Sequence, residues 1–245
     1  MNGLDICAGG GIGSAVWRTL GGRTVCYVER DPYCQQLLQA RMRDGVICDA
    51  PIWDDLRTFD GRPWRGRVDF LFGGIPCQPY SVAGKRQGEA DERDLWPDTR
   101  RIIREVGPRL VLIENVPGLL ARGLGRILGE LAESGYDAEW DCLAASDIGA
   151  DHERKRVWLV AYTKGERWNK LGWWQQTKTA REMEPARCDN ATYWTITPTP
   201  EVCGMANGLA AELEQLRVVG NGWVPQVAAV VMARCAELLE RGDNE

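Results

Sequence analysis

The chain has 245 residues, a formal net charge of −5, nine cysteines and one histidine. This length suits one α/β domain with a small insertion. Because no apolar run approaches the ~18 residues of a membrane span, we expect no membrane segment, and we expect no signal peptide. Cysteines that are odd in number and without close pairs argue against a disulfide framework and predict a reducing cytoplasm. A single histidine excludes the zinc sites that need two, so we expect no metal.

The N-terminal part alternates short apolar runs with helical stretches, which predicts a Rossmann-like α/β sheet with helices on both faces. Residues 4–8 form the first predicted strand, a glycine-rich turn follows, and a helix occupies residues 15–20. Glycines in such a turn let the backbone approach a ligand, and the helix N-terminus favours negative charge. The turn fits a dinucleotide, S-adenosylmethionine, or a tight turn without a ligand.

An acidic residue ends the second predicted strand. This strand covers residues 25–28 and leads into Glu29, about 20 residues after the glycine turn. A carboxylate at this place is positioned to bind ribose hydroxyls. Asp31 is expected to cap the next helix, which begins at Pro32.

A third, weaker strand is predicted at Val46–Ile47, and an acidic loop follows it. Asp54 and Asp55 in that loop, with Asp49 as a further candidate, could accept hydrogen bonds from an adenine amino group. The alternative is that these carboxylates cap a helix.

The most informative stretch begins with an apolar run, Val68–Phe72, of the composition of a buried strand. The strand is predicted to break at Gly73–Gly74 and to present Pro76, Cys77 and Gln78 in a turn. Such a turn lies at the edge of an α/β sheet where ligands bind. A lone cysteine is more often core filler, but a thiolate in this turn could attack an electrophilic carbon.

The rest of the alternating pattern ends in two polar segments. The apolar strand 109–113 leads into Glu114 and Asn115, which again places polar groups at the carboxyl edge of the sheet. A polar turn over 145–156 precedes a strand at 157–162. The other predicted elements are a loop over the site at 84–94, helices at 96–106 and 124–134, a strand at 139–144 and a final helix at 225–239.

A change in character near Thr163 predicts a separate recognition region. Residues 163–210 concentrate lysine, arginine and tryptophan without a helical or strand period, as in a module that contacts nucleic acid. A solvated surface is the alternative. We therefore divide the chain into a catalytic and cofactor-binding domain at 1–162, a target-recognition region at 163–210 and a C-terminal segment at 211–245 that returns to the catalytic domain.

Taken together, these segments resemble the cytosine-C5 DNA methyltransferase family. The match rests on five motifs in the family's order, namely Asp5–Gly11, Gly74–Gln78, Glu114–Val116, His152–Arg156 and Gly220–Asn221. The resemblance covers residues 3–162 and 215–240. Any one motif is weak, but all of them in this order and spacing are specific.

The resemblance implies that Cys77 adds to C6 of a cytosine flipped out of double-stranded DNA and that Glu114 either protonates N3 or hydrogen-bonds it. It implies that Arg156, and with it Arg154, holds the O2 edge, while S-adenosylmethionine supplies the methyl group. The cofactor-binding positions that it implies are Asp5, Cys7, Ala8, Gly9, Gly11, Glu29, Arg30, Asp55, Leu56, Pro76, Leu95 and Asn221. Cys7 stands where the family carries an aromatic residue.

Three other functions remain open at this point. A branch of the same family methylates transfer RNA with the same catalytic residues. A DNA-binding protein with a decayed site is disfavoured because Cys77, Glu114 and Arg156 are all present. A nicotinamide-dependent enzyme is disfavoured because it would leave the Pro-Cys-Gln turn without a task. We expect a monomer that acts in the cytoplasm on a short DNA sequence, in a restriction-modification, phage or solitary role.

Overall fold

A computed structural model describes residues 1–76, 94–163, 218 and 222–242. The strands in these ranges are β1 Asn2–Ile6, β2 Arg23–Val28, β3 Ile52–Trp53, β4 Phe70–Gly74, β5 Leu110–Asn115, β6 Tyr136–Leu143 and β7 Arg156–Thr163. They form one sheet in the order β3-β2-β1-β4-β5-β7-β6. β7 runs antiparallel to β5 and β6, whereas the other neighbouring strands are parallel.

The helices connect and cover these strands. They are α1 Ile12–Thr19, α2 Pro32–Arg43, α3 Trp96–Val106, α4 Gly118–Arg122, α5 Leu124–Glu133 and α6 Pro225–Gly242, with short 3₁₀ turns at Arg62–Trp64 and Ala145–Ile148. Asp31 caps α2 as predicted, since its carboxylate accepts hydrogen bonds from the backbone N–H groups of Tyr33 at 2.9 Å and Cys34 at 3.1 Å.

Side chains on β4 alternate between two hydrophobic cores, one on each face of the sheet. Phe70 and Phe72 pack on one face with Trp17 of α1 and with the apolar side of α6. Leu71, between them, packs on the other face with Ile102 of α3. Because successive strand residues point to opposite faces, both faces must be covered. The prediction of an α/β sheet with helices on both faces is confirmed.

The predicted third strand is wrong. Ile47 is buried, but it packs with Tyr27 and Leu38 at the end of α2 rather than pairing in the sheet. The strand that pairs with β2 is Ile52–Trp53, which has only two residues and therefore no recognisable apolar run. Asp54 and Asp55 follow this strand in a loop, as expected.

The predicted break at Gly73–Gly74 is also wrong, because both glycines belong to β4. Gly73 pairs with Ile6 on one side and Ile113 on the other, and Gly74 pairs with Glu114. The strand therefore includes both glycines and ends at Gly74. The other predicted elements match observed helices and strands, with ends that differ by a few residues.

Several predictions fall outside the described residues. Cys77 and Asn221 lie outside them, as do residues 84–93 of the predicted loop and 164–210 of the predicted recognition region. Within the described ranges, no helix combines the length and apolarity needed to cross a membrane. The same part of the chain has no cluster of three or more His, Cys, Asp or Glu side chains able to hold a metal ion.

Candidate active site

The carboxyl ends of β1 and β2 meet at the glycine-rich turn. The Gly9 N–H donates to Glu29 Oε2 at 2.7 Å, and the Asp31 N–H donates to Glu29 Oε1 at the same distance. The Ala8 N–H donates to the Val28 carbonyl at 3.2 Å. Glu29 therefore ties the turn after β1 to the start of α2. Each carboxylate oxygen has a further lone pair, so Glu29 keeps acceptor capacity for a ligand.

Carboxylates surround Cys7 at this edge of the sheet. The nearby charges of Glu29, Asp5 and Asp55, together with burial, raise the pKa of the Cys7 thiol, and burial is the largest cause. The backbone of Cys7 has a φ of 51°, which is uncommon for a residue with a side chain. Cys7 is thus a neutral side chain held in a strained turn among acidic groups.

Asp5 is the most deeply buried of these acids. Its side chain is 3% exposed, and the Ser14 hydroxyl donates to Asp5 Oδ2 at 2.6 Å. The Thr24 hydroxyl donates in turn to Ser14 Oγ at 2.9 Å. Burial raises the pKa of Asp5 to about 7, although the Ser14 hydrogen bond lowers it. Burial likewise raises the pKa of Glu29, opposed by the hydrogen bonds from Asp31 and Gly9.

This edge fits S-adenosylmethionine in the chemistry of its groups. Gly9 and Gly11 have positive φ values of 54° and 77°, and a Cβ at Gly9 would meet no atom within 4 Å. The turn is therefore open to a ligand on that side. The carboxylates of Glu29 and Asp55 suit a ligand that carries ribose hydroxyls, an adenine amino group and positive charge.

Four other residues that were predicted to bind the cofactor lie around this edge of the sheet or in the core beside it. Arg30 and Pro76 are exposed, and Leu95 is half-buried at the start of α3. Leu56 is buried in the core, and its carbonyl accepts a hydrogen bond from the Arg101 guanidinium at 2.9 Å. Leu56 belongs to the hydrophobic cluster against which Cys7 and Leu95 pack. The backbone N–H of Arg30 hydrogen-bonds the Glu29 carboxylate.

The second half of the site lies at the ends of β5 and β7. Glu114 is 8% exposed, and Arg156 Nε lies 3.0 Å from its Oε1. Burial raises the pKa of Glu114 to about 7, against the opposing charges of Arg156 and Arg154 and hydrogen bonds from Arg156 and Trp223. A carboxyl with this pKa exists in both protonation states near neutral pH and can donate a proton.

Arg154 joins this pair from the segment before β7. Its guanidinium donates to the Gly222 carbonyl, and its backbone φ is 28°. The apolar wall of a small cavity beside Glu114 and the two arginines consists of Leu143, Trp158, Trp223, Val224 and Val227. The structure thus brings the three predicted residues Glu114, Arg154 and Arg156 together.

Asn115 connects the end of β5 to the chain that follows β4. Its Nδ2 donates to the Ile75 carbonyl at 3.2 Å, and its Oδ1 accepts from the Val116 N–H at 2.8 Å. Ile75 is two residues before Cys77 in the sequence, so Asn115 holds the chain shortly before that cysteine. These two hydrogen bonds satisfy the side-chain amide of Asn115, which explains why this polar residue can be buried at only 4% exposure.

Trp223 is the residue of this site that the sequence did not reveal. It lies two residues before α6 and hydrogen-bonds the Glu114 carboxyl. The nearest sequence signal is an isolated tryptophan between two turn residues and a helix, which by itself also suits core packing.

Comparisons with known proteins agree with this geometry. The profile of the C-5 cytosine-specific DNA methylase family matches residues 1–202, so the chain belongs to that family. The Type II methyltransferase M.NgoMIV of Neisseria gonorrhoeae is 36% identical over 188 residues, which are 74% of this chain and 58% of that protein. The Type II methyltransferase M.NaeI of Lentzea aerocolonigenes is 34% identical over 162 residues, 64% of this chain and 39% of that protein.

A solved structure shows the same fold. The Dnmt2 methyltransferase of S. pombe superposes with a TM-score of 0.58 at 15% identity, over 75% of this chain and 56% of that one. The chain spans 58% and 39% of the two curated relatives above.

Proposed function

We propose that this protein transfers a methyl group from S-adenosylmethionine to C5 of cytosine in DNA. The observation that carries the proposal is the buried Glu114 carboxyl, paired with Arg156 at 3.0 Å at the carboxyl edge of the sheet. Membership of the C-5 cytosine-specific DNA methylase family supports it. The description of that family names DNA, which supports DNA rather than transfer RNA as the substrate.

The chain's own residues then divide the work on the base. The Cys77 thiolate adds to C6 and forms a C–S bond, which breaks the C5–C6 π bond and pushes electrons through C4 towards N3. Glu114 gives its proton to N3, so the ring becomes a neutral enamine that is nucleophilic at C5. Arg156 and Arg154 hold the O2 edge and neutralise the Glu114 carboxylate that results. After methylation, a water molecule takes the C5 proton, the C5–C6 double bond re-forms and Cys77 leaves as a thiolate. The N3 proton returns to the Glu114 carboxylate, which restores the neutral aromatic ring and the acid.

The residues around Cys7 would hold the cofactor. Glu29 is proposed for the ribose hydroxyls and Asp55 for the adenine amino group, with the turn at Gly9 and Gly11 against the rest of the ligand. The charge of Asp55 acts on Cys7, which supports Asp55 over Asp49 and Asp54. When bound, S-adenosylmethionine supplies an electrophilic methyl group and leaves as S-adenosylhomocysteine.

Residues 163–210 are proposed to choose the DNA sequence. Between Lys164 and Arg187 the chain carries six lysines and arginines against three acidic residues, although its overall charge is negative, and polar side chains there would read base edges in the major groove. So small a region offers few base-reading side chains, so we propose a site on the order of two to four base pairs. Exchanging 163–210 for the matching segment of a relative with another target should change the methylated sequence, and an unchanged target would contradict the proposal.

The experiment that tests the activity supplies methyl-labelled S-adenosylmethionine with either duplex DNA or transfer RNA. We expect label in DNA, at C5 of cytosine, and none in transfer RNA. Label in transfer RNA alone would assign the enzyme to the RNA-directed branch of the family. We further propose a monomer that acts in the cytoplasm as part of a restriction-modification system.

A further inference from the structure

Trp223 sits in a slot that two glycines leave open. A Cβ on Gly74 would lie 2.9 Å from Trp223 Nε1, and a Cβ on Gly13 would lie 3.0 Å from Trp223 Cζ3. A Cβ at Gly74 would force the indole or the Glu114 carboxyl to shift, and a Cβ at Gly13 would require the indole to move by a few tenths of an ångström. Gly13 belongs to α1 and Gly74 ends β4, so the ring lies between the cofactor-binding turn and the strand that leads to Cys77.

Other aromatic rings fix the orientation of this indole. Trp158 meets it edge to face, with ring centroids 5.0 Å apart and an interplanar angle of 72°. Phe72 contacts it at 6.4 Å between centroids. Edge-to-face packing of this kind favours one ring orientation over others. The direction of the Trp223 N–H is therefore set by packing rather than by the carboxyl that receives it.

The receiving carboxyl is that of Glu114. Glu114 Oε2 lies 3.0 Å from the same Gly74 Cβ position that is 2.9 Å from Trp223 Nε1, so the two groups meet over Gly74. Arg156 holds the other oxygen, Oε1. One carboxyl oxygen thus faces a cation and the other faces the indole N–H, which is neutral.

We propose that Trp223 is the positioning residue of Glu114, whose indole N–H, seated between Gly13 and Gly74, fixes the carboxyl in the orientation that serves the cytosine ring. This inference rests on the proposed function, because it takes Glu114 as the acid. It adds Trp223 as a residue that acts through Glu114. Through its contact with Gly13, Trp223 also connects the acid to the helix that follows the cofactor-binding turn.

The charges around Glu114 determine what the loss of the indole N–H should do. In the described ranges, the charged groups that act on Glu114 are Arg156 of β7 and Arg154 of the preceding segment, while β4 contributes Gly74 and the segment before α6 contributes Trp223. A donor to a carboxylate favours its charged form. Removing the donor while both arginines stay should therefore raise the pKa of Glu114.

The test compares Trp223→Phe with Trp17→Phe by NMR titration of isotopically labelled glutamate carboxyl carbons, with the Glu114 signal assigned by its loss in Glu114→Gln. Trp17 is the matched control because it is fully buried in the same hydrophobic core, its ring pairs with Phe70 and Phe72, and its Nε1 has no hydrogen-bond partner in the described part of the chain. We expect the Glu114 titration to move upward by about half a unit to one unit in Trp223→Phe alone. No upward shift, or the same shift in both variants, would overturn the proposal.

Gly74→Ala provides a second variant in case Trp223→Phe does not fold. Its Cβ would separate the indole from the carboxyl, so the Glu114 titration should again move upward, and a downward or absent shift would contradict the proposal. The NMR readout does not require turnover. A wild-type protein that fails to methylate DNA would therefore refute the proposed function separately, while an active wild type with an unshifted Trp223→Phe titration would refute only the role of Trp223.

Discussion

Arg156 Nε lies 3.0 Å from Glu114 Oε1, at the ends of two antiparallel strands that are neighbours in the sheet. The cation lowers the pKa of the carboxyl, but burial raises it more, and the result is a pKa of about 7. An acid with this pKa exists in both protonation states near neutral pH, and its protonated form gives up the proton readily to a ring nitrogen. The chemistry proposed for this protein depends on this balance.

Glu114→Gln should lower the rate of methyl transfer by roughly 10²–10⁴-fold near neutral pH, the usual loss when a positioned acid is removed. The loss should shrink as the pH falls. As the pH falls well below the pKa of Glu114, the wild-type carboxyl becomes fully protonated and the rate of methyl transfer levels off. The variant takes the N3 proton from solvent, so its rate continues to rise as the pH falls. Single-turnover rates between about pH 5 and about pH 8 would measure this.

The control for this substitution is Glu153→Gln, which makes the same chemical change on an exposed side chain nearby. Its pH profile should follow that of the wild type. If Glu114→Gln gave an unchanged rate and an unchanged profile, Glu114 would not be the acid.

Cys77→Ser should abolish methyl transfer and leave S-adenosylmethionine binding near normal. A hydroxyl is far less nucleophilic than a thiolate near neutral pH, while the groups proposed to bind the cofactor lie on other elements. Activity and calorimetric affinity, measured on the same preparation, separate the two effects. A variant that kept more than a few per cent of the rate would remove Cys77 from the role of nucleophile.

Asp5→Asn should change how the free energy of unfolding depends on pH. Burial raises the pKa of Asp5 in the folded protein to about 7, whereas in the unfolded chain its pKa is the ordinary aspartate value of 3.8. Wild-type stability should therefore fall between about pH 4 and about pH 7, by up to roughly 4 kcal/mol from this group. The variant lacks this fall, so its stability relative to wild type should rise over that interval.

Urea unfolding at several pH values measures this difference. Glu114 contributes a fall of the same sign, but to both proteins, so it cancels in the comparison. Asp60→Asn is the control, because hydrogen bonds from Arg62 lower the pKa of the exposed Asp60 to about 2 and its effect is confined to acid pH. A stability difference between Asp5→Asn and wild type that did not vary with pH would show that Asp5 is ionised in the folded protein.

Glu29→Ala should weaken S-adenosylmethionine binding, since it removes the proposed ribose ligand and the hydrogen bonds from the Gly9 and Asp31 N–H groups that tie the glycine-rich turn to the start of α2. Asp55→Ala should also weaken binding, and Asp49→Ala and Asp54→Ala should not. Calorimetry on the four variants gives the answer. Equal affinities for the three aspartate variants would defeat the choice of Asp55.

The parts of the fold that the sequence predicted well are those with a strong local signal. The helix 96–106 was predicted with the ends that the structure shows, because its apolar face and the following glycine mark it clearly. β3 was missed because two residues cannot show a period, and the apolar pair at Val46–Ile47 misled the prediction. Ile47 is apolar for a different reason, since it packs under α2.

The site was predictable where a motif carries the chemistry, as at Glu114 and Arg156. Trp223 was not predictable, because its role depends on Gly13, Gly74 and Glu114, which are far apart in sequence and meet only in the folded sheet. The two hydrogen bonds of Glu29 to the backbone were likewise invisible in sequence, since a carboxylate at a strand end indicates a ligand as readily as a turn.

Bisulfite sequencing of DNA from cells that express the protein tests the central claim most directly. The account predicts cytosines that resist conversion at one short recurring sequence, and their disappearance when Cys77→Ser or Glu114→Gln is expressed at the same level. Complete conversion of cytosines in cells that make the intact, folded protein would contradict the account, as would protected cytosines that persist in both variants.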